Sequence, residues 1–216
     1  LFCFGLMRAH AQTVDLENGL VAYYPFNGNA NDESGNGNHG TVVGAEITED
    51  RKKFGSSAYK VSKGKRIELP ASDDIIGDKS RTISIWLKNT NTPHQAKPFV
   101  YGNVSSAGNA FGITYDEGWY LWGHYVSHRI GSLDAEWRLH TVTYQNGTIK
   151  YYIDGALKEG ETNWYGTGLT RLRTSKTIIY IGSGQPFDGD SVYFDGKVDD
   201  VRIYNRALSA TEVAAL

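Results

Sequence analysis

The 216 residues carry 22 Lys and Arg against 24 Asp and Glu, a formal charge of −2, so the basic excess that neutralises nucleic-acid phosphates is missing. At 40% hydrophobic the chain can build a core, and its single Cys excludes an internal disulfide framework and any Cys-based zinc site. The 25 Gly, 14 Tyr, 8 Phe and 5 Trp favour strands and tight turns over helices, and one β-sandwich accommodates this length.

In chain order, Leu1–Met7 is a short apolar run followed by Ala9-x-Ala11, a small-residue cleavage pattern. Residues 1–11 therefore read as the remnant of a secretory signal peptide, which places the protein outside the cell or on its surface. The alternative is a buried N-terminal strand. The run is too short to span a membrane, and no other segment is a candidate. With Cys3 lost, the mature chain would hold no Cys, which suits an exported protein stabilised by a sheet core.

The expected domain runs over 15–216. Leu20–Phe26 is apolar and aromatic, and Asn27–Gly40 is a long polar loop before Thr41–Val43. Ser57–Ser62 and Arg66–Leu69 are short strand signals. Thr82–Lys88 alternates, with Ile83, Ile85 and Leu87 on one face and Ser84, Trp86 and Lys88 on the other. Asn109–Tyr115 follows, then Gly118–Tyr125, where Trp119, Leu121 and Tyr125 oppose Tyr120, Trp122 and His124. Leu139–Tyr144 and Thr148–Ile153 flank Asn146-Gly147, which accepts the positive φ values of a type I′ hairpin turn. Ile178–Ile181, Val192–Phe194 and Lys197–Tyr204 complete the strands. Leu208–Leu216 reads as the one helical turn, with Ser209 and Glu212 spaced as a capping box. Many short strands without crossover helices predict an all-β, antiparallel sandwich or barrel in one domain.

Asn27–Gly40 is dense in side-chain oxygens, and Asp32-x-Ser34-x-Asn36-Gly37 alternates donors as a hard cation requires. The same composition suits a surface loop of turn formers. It is not an EF-hand, because Val43 stands where a bidentate Glu is needed.

Several of these segments together resemble the laminin-G-like, concanavalin A-like jelly-roll family of bacterial secreted proteins. The matching residues are 19–26, Asn31–Gly40, Phe54–Ala58, Thr82–Lys88, Trp137 with His140–Tyr144, Tyr152–Gly155 and Phe194–Ser209. The resemblance implies two stacked antiparallel sheets. It implies no single activity, since the fold carries lectins, hydrolases, lyases and adhesion modules. It also implies a structural Ca²⁺ tying the N-terminal loop to the closing strand. Asp32 matches the loop carboxylate and Asp199 the strand ligand, with carbonyls near His39 or Gly40 adding oxygens. Asp200 is the alternative if a bulge changes the register.

Glycosidases set two carboxylates across the scissile bond, and related laminarinases carry them as Glu-x-Asp-x-(x)-Glu on one strand. Asp116-Glu117 are adjacent, Asp134-Ala135-Glu136 lacks a third carboxylate, and Asp188, Asp190 and Asp195 lie in a Gly-rich stretch, so none fits. There is no His-Glu-x-x-His pair, no Gly-x-Ser-x-Gly elbow and no phosphate loop. Tyr120, His124 and Arg129 allow a lyase arrangement without a recognisable motif. The remaining signal is aromatic, since such rings stack on sugar faces and keep a polar edge. Trp86, Tyr120, Trp122 and His124 are the expected ligand residues, Trp164 and Tyr165 a second platform, and core filling is the competing role for each ring. Two readings follow. One is a secreted, non-catalytic carbohydrate-binding or adhesion module stabilised by Ca²⁺, with a glycan or cell-surface partner and a place in a larger multidomain surface protein. The other is a polysaccharide lyase or hydrolase.

Overall fold

The computed structural model describes residues 14–52, 56–91, 96–104, 108–115, 119–122, 126–127, 135–158, 163–164, 171–183 and 193–216. The signal-peptide reading of residues 1–11 lies outside them. Strands run in the order β1 (Leu20–Tyr24), β2 (Thr41–Val43), β3 (Glu46–Thr48), β4 (Ala58–Val61), β5 (Arg66–Leu69), β6 (Arg81–Asn89), β7 (Ala96–Gly102) and β8 (Ala110–Tyr115). They continue with β9 (Trp119–Trp122), β10 (Val126–Ser127), β11 (Arg138–Gln145), β12 (Thr148–Ile153), β13 (Ala156–Lys158), β14 (Asn163–Trp164), β15 (Ile179–Ile181) and β16 (Gly196–Tyr204), before helix α1 (Ala210–Val213).

One sheet has the order β13-β12-β11-β6-β16-β4-β3, with β1 beside β16, and the other β2-β5-β15-β7-β8-β9. The strand pairs are antiparallel, and β10 and β14 pair with each other. The result is the expected two-sheet jelly-roll sandwich. Alternation explains the core between the sheets. Ile83, Ile85 and Leu87 of β6 and Val198, Val201 and Ile203 of β16 meet Phe99, Tyr101, Phe111, Ile113, Ile179 and Ile181 of the second sheet. Each such side chain contributes about 1.5–3 kcal/mol on full burial.

The other face of β6 is less open than its polarity suggests. Thr82 and Ser84 are buried, Ser84 beside the Thr141 hydroxyl of β11 and Thr82 where the C-terminal segment crosses it. Thr82 Oγ1 donates to the Arg206 carbonyl at 2.8 Å and accepts the Leu208 N–H at 2.9 Å. Tyr152, Tyr204, Leu208 and Val213 then form a small core beneath α1. Ser209 and Glu212 cap that helix reciprocally, as their spacing predicts. Of the expected strand over Val192–Phe194, Val192 lies outside the described residues. Tyr193 makes an isolated bridge to Ser183, and Phe194 is core.

Candidate functional site

β1 has β16 on one edge, and the Asn27–Gly40 loop fills the other. The Tyr23 N–H donates to Asp32 Oδ1 at 2.9 Å, and the Tyr23 carbonyl accepts the Glu33 N–H at 2.7 Å. The Val21 carbonyl accepts Asn36 Nδ2 at 3.1 Å and Asn38 Nδ2 at 2.9 Å. Asp32 also accepts the Ser34 N–H on Oδ1 and the Asn38 N–H on Oδ2, both at 2.9 Å. Burial works against its charge, yet the N–H groups of Tyr23, Ser34 and Asn38 outweigh that and hold its carboxyl below the usual range. Gly40 donates its N–H to the Ala30 carbonyl at 2.8 Å, which closes the loop. Asp32 therefore serves as the loop's internal acceptor.

Asp199 and Asp200 sit on the opposite side of β1, in the body of β16. Ladder partners change there. Gly196–Val198 pair with β4, and Val201–Tyr204 pair with β1. Against β6 the register skips between Asp199, opposite Trp86, and Arg202, opposite Ser84. This is the bulge allowed for in the sequence, with Asp200 at φ 50°. The extra residue lets Val201 regain the core face and leaves both carboxylates on one side. Arg51, in the turn after β3, holds the pair. Its Nη1 lies 2.7 Å from Asp199 Oδ2 and its Nη2 2.6 Å from Asp200 Oδ2. Its guanidinium stands 4.6 Å from the centroid of the Trp86 ring. On the other flank, Arg202 stacks on Tyr23 at 4.4 Å, and its Nη2 stands 3.5 Å from Asp200 Oδ1, an ion pair without a hydrogen bond.

Burial pushes the Asp199 carboxyl up to about 7, the Asp200 charge adds to the rise, and Arg51 offsets part of it. That value suits a general acid, but the Asp199 side chain is only 3% exposed beneath Arg51. The expected calcium ligands are thus divided. Asp32 is occupied by N–H donors and the Asp199–Asp200 pair by a guanidinium, so as arranged they do not fit one shared ion. Among the described residues no cluster of three or more His, Cys, Asp or Glu offers a metal cage. Arg51, Arg202 and Tyr23 were not singled out from the sequence. Arg51 lies 148 residues from Asp199, and no local pattern marks it.

The outer face of the second sheet carries two of the other expected ligand positions, 120 and 122. A cross-strand row runs Thr41, Glu68, Tyr180, Val100, Gly112, Trp122. In the next row Tyr120 faces Thr114. These positions alternate with Phe111 and Ile113, which are core, so positions 120 and 122 fall on the face away from it, as the alternation predicts. Their side chains lie outside the described residues, as do His124, Tyr165 and the carboxylates of Asp116, Glu117, Asp134, Asp188 and Asp190. Thr114 is 6% exposed and its Oγ1 has no hydrogen-bond partner. Val100, Val104, Ala110 and Tyr180 make a small apolar cluster on this face, flanked by the Arg66–Glu68 ion pair at 2.6 Å. A separate cleft of about 520 Å³ between the β11–β12 hairpin and α1 is lined by Thr143, Gln145, Lys150 and Glu212 among others. None of the expected site residues lines it.

A family model described as the concanavalin A-like lectin/glucanases superfamily matches residues 62–214. Among solved structures, domain 4 of a GH43 extracellular arabinanase from Geobacillus stearothermophilus, in complex with arabinotriose, is 22% identical with a TM-score of 0.63. That match covers 91% of this chain and 97% of that one. The binding domain of Paraclostridial mosquitocidal protein 1 is 19% identical with a TM-score of 0.67, over 93% of this chain and 52% of that one. Trypanosoma rangeli sialidase in complex with sialic acid is 19% identical with a TM-score of 0.68, over 94% of this chain and 33% of that one. The chain therefore spans about half of the second protein and a third of the third. At these identities the likeness shows the fold. Compared with the curated proteins, the sequence matches none.

Proposed function

The chain belongs to the concanavalin A-like lectin/glucanase superfamily, and from that premise we propose that it is a secreted, non-catalytic carbohydrate-binding module, one unit of a larger surface protein. Its glycan face is the outer side of the six-stranded sheet. The observation that carries this reading is the cross-strand row that sets Trp122 beside Gly112, with Tyr120 beside Thr114. A glycine leaves the neighbouring aromatic position without a competing side chain. A buried hydroxyl without a partner is a donor and acceptor awaiting a polar ligand. Aromatic rings with a few fixed polar groups are what a sugar site requires. The arabinotriose complex of the arabinanase domain lends support from a fold of the same kind. The non-catalytic part is supported by Asp199, whose carboxyl burial pushes up to about 7, being enclosed and bound to Arg51.

The test is a glycan array followed by calorimetry on the full chain. Trp122→Ala and Tyr120→Ala are each expected to weaken binding about tenfold or more, a loss of about 1.4 kcal/mol. Trp86→Ala, on the other sheet, leaves affinity unchanged. Binding that survives both changes removes this face as the site. Release of reducing ends or unsaturated uronates from any bound glycan overturns the non-catalytic assignment in favour of a lyase or hydrolase.

A further inference from the structure

We propose that Arg51 is the resident cation of the Asp199–Asp200 site, a guanidinium supplied by the chain itself where a divalent ion is expected, and that this site is built as a guanidinium receptor. Consecutive strand residues ordinarily point to opposite faces. Here the bulge, with Asp200 in the left-handed region, turns both carboxylates to one side. The two nitrogens of one planar fork each take one carboxylate, at 2.7 and 2.6 Å, which matches guanidinium geometry and not that of a spherical ion. Beneath the fork lies the Trp86 ring, 4.6 Å away and opposite Asp199 in register. An aromatic face joined to two carboxylates recognises an organic cation. A calcium ion needs six to eight oxygens and gains nothing from the indole.

Charge balance points the same way. Arg51 and Arg202 already face Asp199 and Asp200, so a divalent ion would leave this cluster with excess positive charge. Asp32, the loop carboxylate expected at such an ion, accepts three N–H groups on the far edge of β1.

Thermal unfolding of the full chain, in millimolar Ca²⁺ and in EDTA, tests the proposal beside Arg51→Ala and Arg51→Lys. The wild type is expected to melt at one temperature in both solutions. Arg51→Ala should melt about 5 °C lower or more, because two carboxylates lose their partner. Millimolar methylguanidinium should restore most of that loss and leave the wild type unchanged. Arg51→Lys keeps a charge but not the fork, so it falls in between and carries the test if the alanine variant does not fold. A wild-type melting temperature that rises with Ca²⁺ and drops in EDTA overturns the proposal. So does an Arg51 variant as stable as the wild type, or an alanine variant that methylguanidinium does not rescue.

Discussion

Arg81, at the start of β6, is fully buried, and its partners are neutral. Nε donates to the Lys79 carbonyl at 2.8 Å and Nη2 to the Gly77 carbonyl at 2.7 Å. Nη1 donates to the Tyr101 hydroxyl at 2.9 Å and to Thr174 Oγ1 at 3.0 Å. The Phe111 and Tyr144 rings flank the guanidinium at 5.4 and 5.2 Å. Arg81→Lys keeps the charge, and with it the cost of burying an ion, but replaces a fork by one ammonium without the Nε donor. Losing two of the four bonds costs roughly 3–6 kcal/mol gross at about 1.5–3 each. After relaxation the expected loss is about 3 kcal/mol, a fall in melting temperature of about 6–12 °C. Arg81→Met leaves all four neutral acceptors unpaired but no longer buries a charge, so it should cost less than the nominally conservative lysine. Urea unfolding followed by Trp fluorescence reads both, with m unchanged. A lysine variant more stable than the methionine variant, or within about 1 kcal/mol of the wild type, refutes the reasoning.

Two further predictions follow from the same packing. At Gly182, φ is +92° and an added Cβ would meet Val61 Cβ at 2.6 Å, Cγ1 at 2.8 Å and Cγ2 at 2.9 Å across the sandwich, so Gly182→Ala should cost about 2–4 kcal/mol. Val61→Ala in the same chain should recover part of that cost in chemical unfolding, and strict additivity would show the contact to be irrelevant. Arg206, 2.7 Å away, together with the Ser209 N–H, holds the Glu212 carboxyl down at about 2. A depressed folded-state pKa makes the stability share of Glu212 complete above its ordinary value of 4.5 and lost as pH falls from there through about 2. Glu212→Gln should flatten that part of the melting-temperature profile, and an unchanged slope would assign it to other carboxylates.

Uninterrupted alternation was legible. Arg66–Leu69 and Thr148–Ile153 coincide with β5 and β12, and Asn146 and Gly147 adopt the positive φ values that the hairpin turn demands. β7 was not anticipated, although it is central and buried along its length. Lys97 and Pro98 interrupt its pattern, and proline argues against a central strand. The ladder accommodates it by a register shift between Ala96 and Phe99, and the Pro98 carbonyl still accepts the Gly182 N–H at 3.0 Å. The edge strands β3 and β13 have three residues each and are mostly exposed, so no periodicity could announce them.

The site residues divide along the same line, between what a residue is and what it faces. Alternation placed Trp86 on the outer face of β6, but its partner comes from a charged turn, Asp50-Arg51-Lys52, remote in sequence and bearing no motif. The Asp199–Asp200 pair was visible, and the direction of Asp200 depended on one positive φ that asparagine and aspartate tolerate better than most residues. The polar loop shows why composition alone misleads. An edge strand presents unpaired N–H and carbonyl groups, and short Asp, Asn and Ser side chains satisfy them with the same oxygens that would satisfy a hard cation. What separates the two cases is the count of N–H donors converging on the carboxylate. Three of them on Asp32, one from β1 and two from the loop itself, stabilise its charge without an ion.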